Sequence, residues 1–379
     1  MLRNSQQITQ MRYLSSLFAL FLFSFLFNSC GDRQAADSYS GATKTSMLHY
    51  PQETHFDTVI QLTNGGDNAE AYWSFDDNGI VFQATNSAWG DSCDQIYFTP
   101  VADAERMMTE RPQRIGNGKG RTTCSYFMPG DSTVIYASTH VADEACPPKP
   151  DKREDGKYVW PVYESFDIFV ADLQGNILKQ LTDEPGYDAE PTVSPKGDLI
   201  VFTSLRSGDL ELYTMKLDGS DVKQITTELG YDGGAFFSPD GTKLIFRSSR
   251  PKTEAEIADY KALLAEGLVT PTEMELYICN IDGSELRQLT TLGKANWAPF
   301  FHPSGQQVIF SSNHATEKGY PFNLYMINVD GTGLKQVSYD GVFDAFPMFS
   351  RSGEYLLFSS NRNNGGGRDT NLFLAKWKN

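Results

Sequence analysis

Histidine and cysteine are both scarce, five of each in 379 residues. No two cysteines are spaced C-x-x-C and no H-E-x-x-H occurs, so neither compact zinc signature is present. The G-x-S-x-G elbow and the phosphate loop G-x-x-x-x-G-K-[ST] are also missing, which removes two common hydrolase and nucleotide-binding readings. Basic residues are few: Lys and Arg total 32 against 48 Asp and Glu, a net charge of −16. Such a surface repels nucleic acid and anionic membranes and suits cationic partners or solubility. Histidines 49, 55, 140, 302 and 314 are scattered, with no cluster in sequence. His302 takes a turn position; His140 and His314 each begin a loop and could serve as ligands or bases, or simply face solvent.

The longest apolar run is N-terminal. "MRYLSSLFALFLFSFLFNSC", Met11 to Cys30, has a basic start, a Leu/Phe-rich middle and a small residue before its end, the layout of a secretory signal. It resembles a bacterial lipoprotein signal, which implies lipidation of Cys30; Phe27 departs from the usual Leu three residues earlier. An uncleaved membrane anchor is the alternative, although the run is short for a span. Met11 is a candidate start. Residues 31–54 read as a flexible tether rich in small and polar residues. Gly31 and Asp32 are compatible with outer-membrane sorting of a chain facing the periplasm. Export permits disulfides. Cys93, Cys124 and Cys146 are the candidates, while Cys279 falls in a strand and reads as a buried thiol.

From residue 55 onward the chain repeats. Gln-Leu-Thr or a relative begins at Gln61, Gln113, Gln180, Gln224, Gln288 and Gln336. Each is followed by a turn and an apolar run ending in Phe or Tyr, as in "SFDDNGIVF", "FMPGDSTVIY", "SPKGDLIVF", "SPDGTKLIF", "HPSGQQVIF" and "SRSGEYLLF". A third marker joins a short strand to a hairpin turn, best seen in "ELYTMKLDGS", "ELYICNIDGS" and "NLYMINVDGT". Alternating apolar and polar residues make half-buried strands, and the Gly-containing turns supply the positive φ that tight connections need. A single four-stranded unit cannot bury both faces, and a ring of such units can. The expected fold is all-β: a six-bladed β-propeller over residues 55–379, closed by an N-terminal outer strand that completes the last blade. The markers resemble the repeats of TolB-like propellers. TolB itself carries an N-terminal α/β domain for which residues 31–54 leave no room, so membership of the Tol complex is not implied.

The insertions gather on one face, which marks it as the binding face. The main ones are Thr139 to Phe166, with Tyr158, Trp160 and Tyr163, and Pro251 to Met274. The second contains a helix with a Thr253/Glu256 capping box and an apolar stripe (Ala255, Ile257, Tyr260, Leu263, Leu264), which either packs on the rim or lids the channel.

Alignment on the turns places Asn68, Thr122, Asp188, Asp232, Asn296 and Asp344 in one ring, with Glu70, Cys124 and Glu190 among the residues two further on. The aspartates read either as loop-holding hydrogen-bond acceptors or as ligands converging on the channel mouth. Candidate ligand-binding residues are Asn68, Arg121, Trp160, Asp188, Glu190, Asp232, Asn296 and Asp344, and a divalent cation would fall to Asp188, Asp232 and Asp344. The expected function is a monomeric, lipid-anchored scaffold that binds an envelope protein, a peptidoglycan-associated partner or a small ligand, touching the membrane through its lipid alone. The alternative is a metal-dependent hydrolase or lyase acting on a glycan or peptide at the channel mouth. Some TolB-like propellers are oligogalacturonate lyases with His-rich channel sites, a cluster this sequence lacks.

Overall fold

The computed structural model describes residues 48–317 and 319–378. The expected signal segment and residues 31–47 of the expected tether lie outside the described residues. Six four-stranded antiparallel sheets follow one another as blades. Their inner strands are Asp67–Trp73, Thr122–Phe127, Asp188–Val193, Asp232–Phe237, Asn296–Phe301 and Asp344–Phe349, in blades one to six. Second strands such as Leu199–Ser204 and Lys243–Ser248 are buried at every residue but the first, because both faces are covered by neighbouring blades.

The ring closes as expected. Phe56–Gln61 pairs antiparallel with Asn371–Trp377, placing Phe56 opposite Trp377 and Gln61 opposite Phe373. The residues just before it are not a free tether. Glu53 is 1% exposed and bonded to Arg362, and the Tyr50 hydroxyl donates to Asp340. Residues 48–54 therefore belong to the packed propeller.

The Gln-Leu-Thr marker has a local physical reason. In five of its copies the Gln side-chain amide donates to the carbonyl two residues on, as Gln224 does to Thr226 at 2.9 Å. The Thr or Ser hydroxyl then accepts a backbone N–H from the neighbouring third strand, as Thr226 does from Leu212 at 2.8 Å. Short outer strands are thus pinned by side chains where the ladder is too brief to hold them.

Every inner strand carries a bulge at its third ring-aligned position. Glu70, Cys124, Glu190, Ala298 and Phe346 have φ between 48° and 59°, and Gly234 has φ 59°. The pairing register shifts at the same place in all six blades.

The helix spans Glu254–Ala265, begins with the expected Thr253/Glu256 capping box, and buries Tyr260 and Leu263 against the propeller. The Tyr260 hydroxyl donates to Asp209, so the apolar stripe packs down rather than facing the channel. Among the described residues no helix is long and apolar enough to cross a membrane.

Candidate functional site in the propeller channel

The inner strands stack three rings down the axis. The first ring holds Asn68, Thr122, Asp188, Asp232, Asn296 and Asp344, none more than 2% exposed. The second is the bulge ring, with Glu70, Cys124 and Glu190 on one side and Ala298 and Phe346 on the other. The third holds Tyr72, Tyr126, Phe236, Phe300 and Met348 together with Thr192. Blades one and four face each other across a six-fold ring, yet the rings of Tyr72 and Phe236 are only 5.7 Å apart. Tyr126 and Phe300 join them, their centroids 6.4 Å and 5.3 Å from Phe236. Aromatic side chains therefore plug the bore, and the insert-bearing end of the channel, a blind pit in this topology, stops at them.

The first ring does not converge on this pit. Each aspartate turns back onto its own blade, to an arginine at the end of the second strand. Arg206 donates to Asp188 at 2.8 Å. Arg250 holds both oxygens of Asp232 at 2.6 and 2.9 Å. Arg362 holds both oxygens of Asp344 at 3.0 Å and also reaches Glu53. Burial pushes the Asp188 and Asp232 carboxyls up and the arginines pull them back. Blades two and five have a histidine where these blades have arginine, and their ring residues are Thr122 and Asn296. His140 and His314 accept from or donate to Ser138 and Ser312. Burial lowers both imidazole pKa values, so they sit as neutral hydrogen-bonding partners. The expected gathering of Asp188, Asp232 and Asp344 around a cation is therefore not formed. Among the described residues no three His, Cys, Asp or Glu side chains are grouped to hold a metal ion.

What the pit does contain is the second ring and its supports. Glu190 accepts from the Thr203 hydroxyl at 2.7 Å, the Tyr231 hydroxyl at 2.8 Å, the Gly234 N–H at 2.7 Å and the Arg247 guanidinium. Burial works to raise its pKa, but Arg247 and the hydroxyls outweigh burial and hold the carboxyl below its usual range. Gly234 makes room: a Cβ there would fall 1.9 Å from an Arg247 nitrogen. Among the described residues no cation forms an ion pair with Glu70. It meets the Tyr72 hydroxyl at 3.4 Å and the Cys124 thiol, and burial raises its pKa to about 7. Burial, with Glu70 and Glu190 nearby, holds the Cys124 thiol well above its usual pKa, so it is a poor nucleophile.

The insertions build the mouth. Trp160–Pro161 pairs with Leu268–Val269, which ties the blade-two insertion to the blade-four insertion. Arg153 bonds to Glu266 at 2.7 Å across the same junction. Trp160 packs 5.1 Å from Trp297 and lies over the Arg247 guanidinium, 5.5 Å from its ring centre. Of the candidate residues, Glu190 and Trp160 meet at Arg247. Arg121 is engaged elsewhere, by Asp94 at 2.8 Å and over Tyr163. Asn68 and Asn296 donate to backbone carbonyls beside the first ring. Cys93 and Cys146 form a disulfide; Cys124 and Cys279 are free.

Sequence reasoning missed Arg247 and the three ring arginines. A signal for the latter was present: "F-x-S-x-R" closes the second strand in blades three, four and six, the blades with a ring aspartate.

Residues 162–267 match the family described as TolB beta propeller domain. Among solved structures, a putative TolB from Agrobacterium tumefaciens is 16% identical with TM-score 0.51, covering 85% of this chain and 97% of that one. TolB from Acinetobacter baumannii is 17% identical with TM-score 0.49, covering 82% of this chain and 63% of that one. An oligogalacturonate lyase in complex with manganese is 13% identical with TM-score 0.46, covering 89% of this chain and 96% of that one. No curated protein matches the sequence. With its repeats and its six blades the chain folds as a six-bladed β-propeller, and residues 162–267 of it are similar to the TolB beta propeller domain.

Proposed function

We propose that the chain is a lipid-anchored scaffold of the cell envelope that binds a protein partner through its insert-bearing face. The observation that carries this reading is the joining of the two long insertions into one braced mouth. Trp160 and Trp297 pack there with tilted rings 5.1 Å apart, and Tyr158 stands 58% exposed beside them. Rigid aromatic anchors around a concave centre are the composition of a protein-binding hot spot. TolB-like propellers are envelope proteins by resemblance, and the N-terminal segment supplies a lipidation signal at Cys30.

The test is site-specific photocrosslinking in cells, with the crosslinker at Tyr158, at Leu178 on an outer strand, or at Asp240 on the opposite face. The reading expects a discrete protein adduct from position 158 and none from 178. Equal adducts at both positions, or none at 158, would reject it. Lipidation is read separately: Cys30→Ala should abolish incorporation of an alkyne-labelled fatty acid.

The cation-dependent lyase or hydrolase alternative is weakened because its expected ligands, Asp188, Asp232 and Asp344, are each held by an arginine.

A further inference from the structure

The opposite face of the plug forms a second cavity of about 210 Å3 among the tight turns. Its floor is the underside of the aromatic ring, Tyr126, Phe236, Phe300 and Met348. Its rim comes from the second residue of the Ser-Pro turns of blades three and four and the His-Pro turn of blade five: Pro195, Pro239 and Pro303. Blade six breaks that pattern. Its turn reads Ser350-Arg351, so one guanidinium stands where the other lining turns place a proline.

Arg351 is held over the Phe75 ring, with its guanidinium carbon 4.2 Å from the centroid. It makes no ion pair among the described residues. The two nearby carboxylates are committed to backbone. Asp77 accepts the N–H groups of Arg351 and Ser352 at 2.7 and 2.9 Å. Asp131 accepts those of Phe75 and Asp76 at 2.8 and 3.1 Å. The cavity thus offers an apolar floor, stiff proline walls and one positioned guanidinium that no carboxylate bonds directly among the described residues.

We propose that this cavity binds an apolar or aromatic group bearing one carboxylate, with the apolar body on Phe236 and Phe300 and the carboxylate on Arg351. Two sources share that chemistry: a free small acid, or the C-terminal residue of a peptide ending in an apolar side chain. The site is independent of the insert-bearing face, because the aromatic plug separates them.

The experiment is titration calorimetry with phenylacetate, its neutral isostere phenylacetamide, and acetyl-Gly-Phe with a free C-terminus. The probes are run on wild type, Arg351→Gln and Trp160→Ala, with melting curves to show that each variant folds. Wild type should bind phenylacetate saturably at one site, and Arg351→Gln should weaken it about tenfold. Phenylacetamide should bind more weakly and be indifferent to Arg351→Gln. Trp160→Ala should change nothing. Tighter binding of acetyl-Gly-Phe identifies a peptide C-terminus as the source, and tighter binding of phenylacetate a free acid; either supports the site. No saturable binding of either acid, equal affinity for acid and amide, or sensitivity to Trp160→Ala instead of Arg351→Gln would overturn the proposal.

Discussion

Asp188, Asp232 and Asp344 differ from Asn68, Thr122 and Asn296 because each has an arginine 18 residues later. The charge of the ring is therefore compensated blade by blade. Removing one partner leaves a buried charge without its mate. Arg362→Met should lower stability by about 3–5 kcal/mol in chemical denaturation, because Asp344 and Glu53 lose their shared guanidinium. A second change, Asp344→Asn in the same chain, should recover part of that loss. A loss additive with Asp344→Asn alone would mean that the pair is not energetically coupled.

Glu70 makes a second residue-scale prediction. Its folded pKa, near 7, lies above the ordinary glutamate value of 4.5. The folded state therefore holds the proton longer than the unfolded state as pH rises. Stability contributed by this residue is present below about pH 4.5 and declines as pH rises through 7. Melting curves from pH 5 to 8 should fall more steeply for wild type than for Glu70→Gln, and the variant should be the more stable above pH 7. Parallel pH profiles would show that Glu70 titrates normally.

At the scale of the element, the closing strand is the exposed weak point. Phe56–Gln61 is the outer strand of a sheet whose other three strands lie at the far end of the sequence. Phe56 is 1% exposed, packed on Phe358 at 5.7 Å and Trp377 at 6.0 Å. Deleting residues 1–62 would bare the edge of Asn371–Trp377 and uncover that cluster. Such a chain should lose its cooperative melt and self-associate in size-exclusion chromatography, while Phe56→Leu should keep the ring closed with a modestly lower melting temperature. The helix makes the contrasting case. It was legible from Thr253, Glu256 and its apolar spacing, but only packing showed that Tyr260 turns toward Asp209 and away from the pit.

At the scale of the whole molecule, blade number, strand order and closure were all readable, because every repeat announces its turns and its strand ends in the chain itself. Local chemistry carries that information: Gln224 bonds two residues along, and Gly283 sits where a Cβ would approach the Ile225 carbonyl to 2.4 Å. The pit was not readable. Glu190, Arg247, Tyr231 and Thr203 come from two blades and meet through a bulge whose positive φ no residue type announces, since Glu, Cys, Ala and Phe all occupy it. The plug was hidden for a similar reason. Tyr72 and Phe236 are ordinary strand residues until the ring closes and brings them together across the axis, their rings tilted by 47°.

That Tyr72–Phe236 contact also decides what kind of body this is. A bore open from end to end would be a conduit, and a solute entering one mouth could leave by the other. With the bore stoppered toward its turn-lined end, the two faces are separate and unlike. Were both proposed sites filled, the occupants at the bracing insertions and at the proline-rimmed cup would not compete. Such a chain would bring the two to a fixed separation, on the scale of a six-residue strand such as Asp232–Phe237.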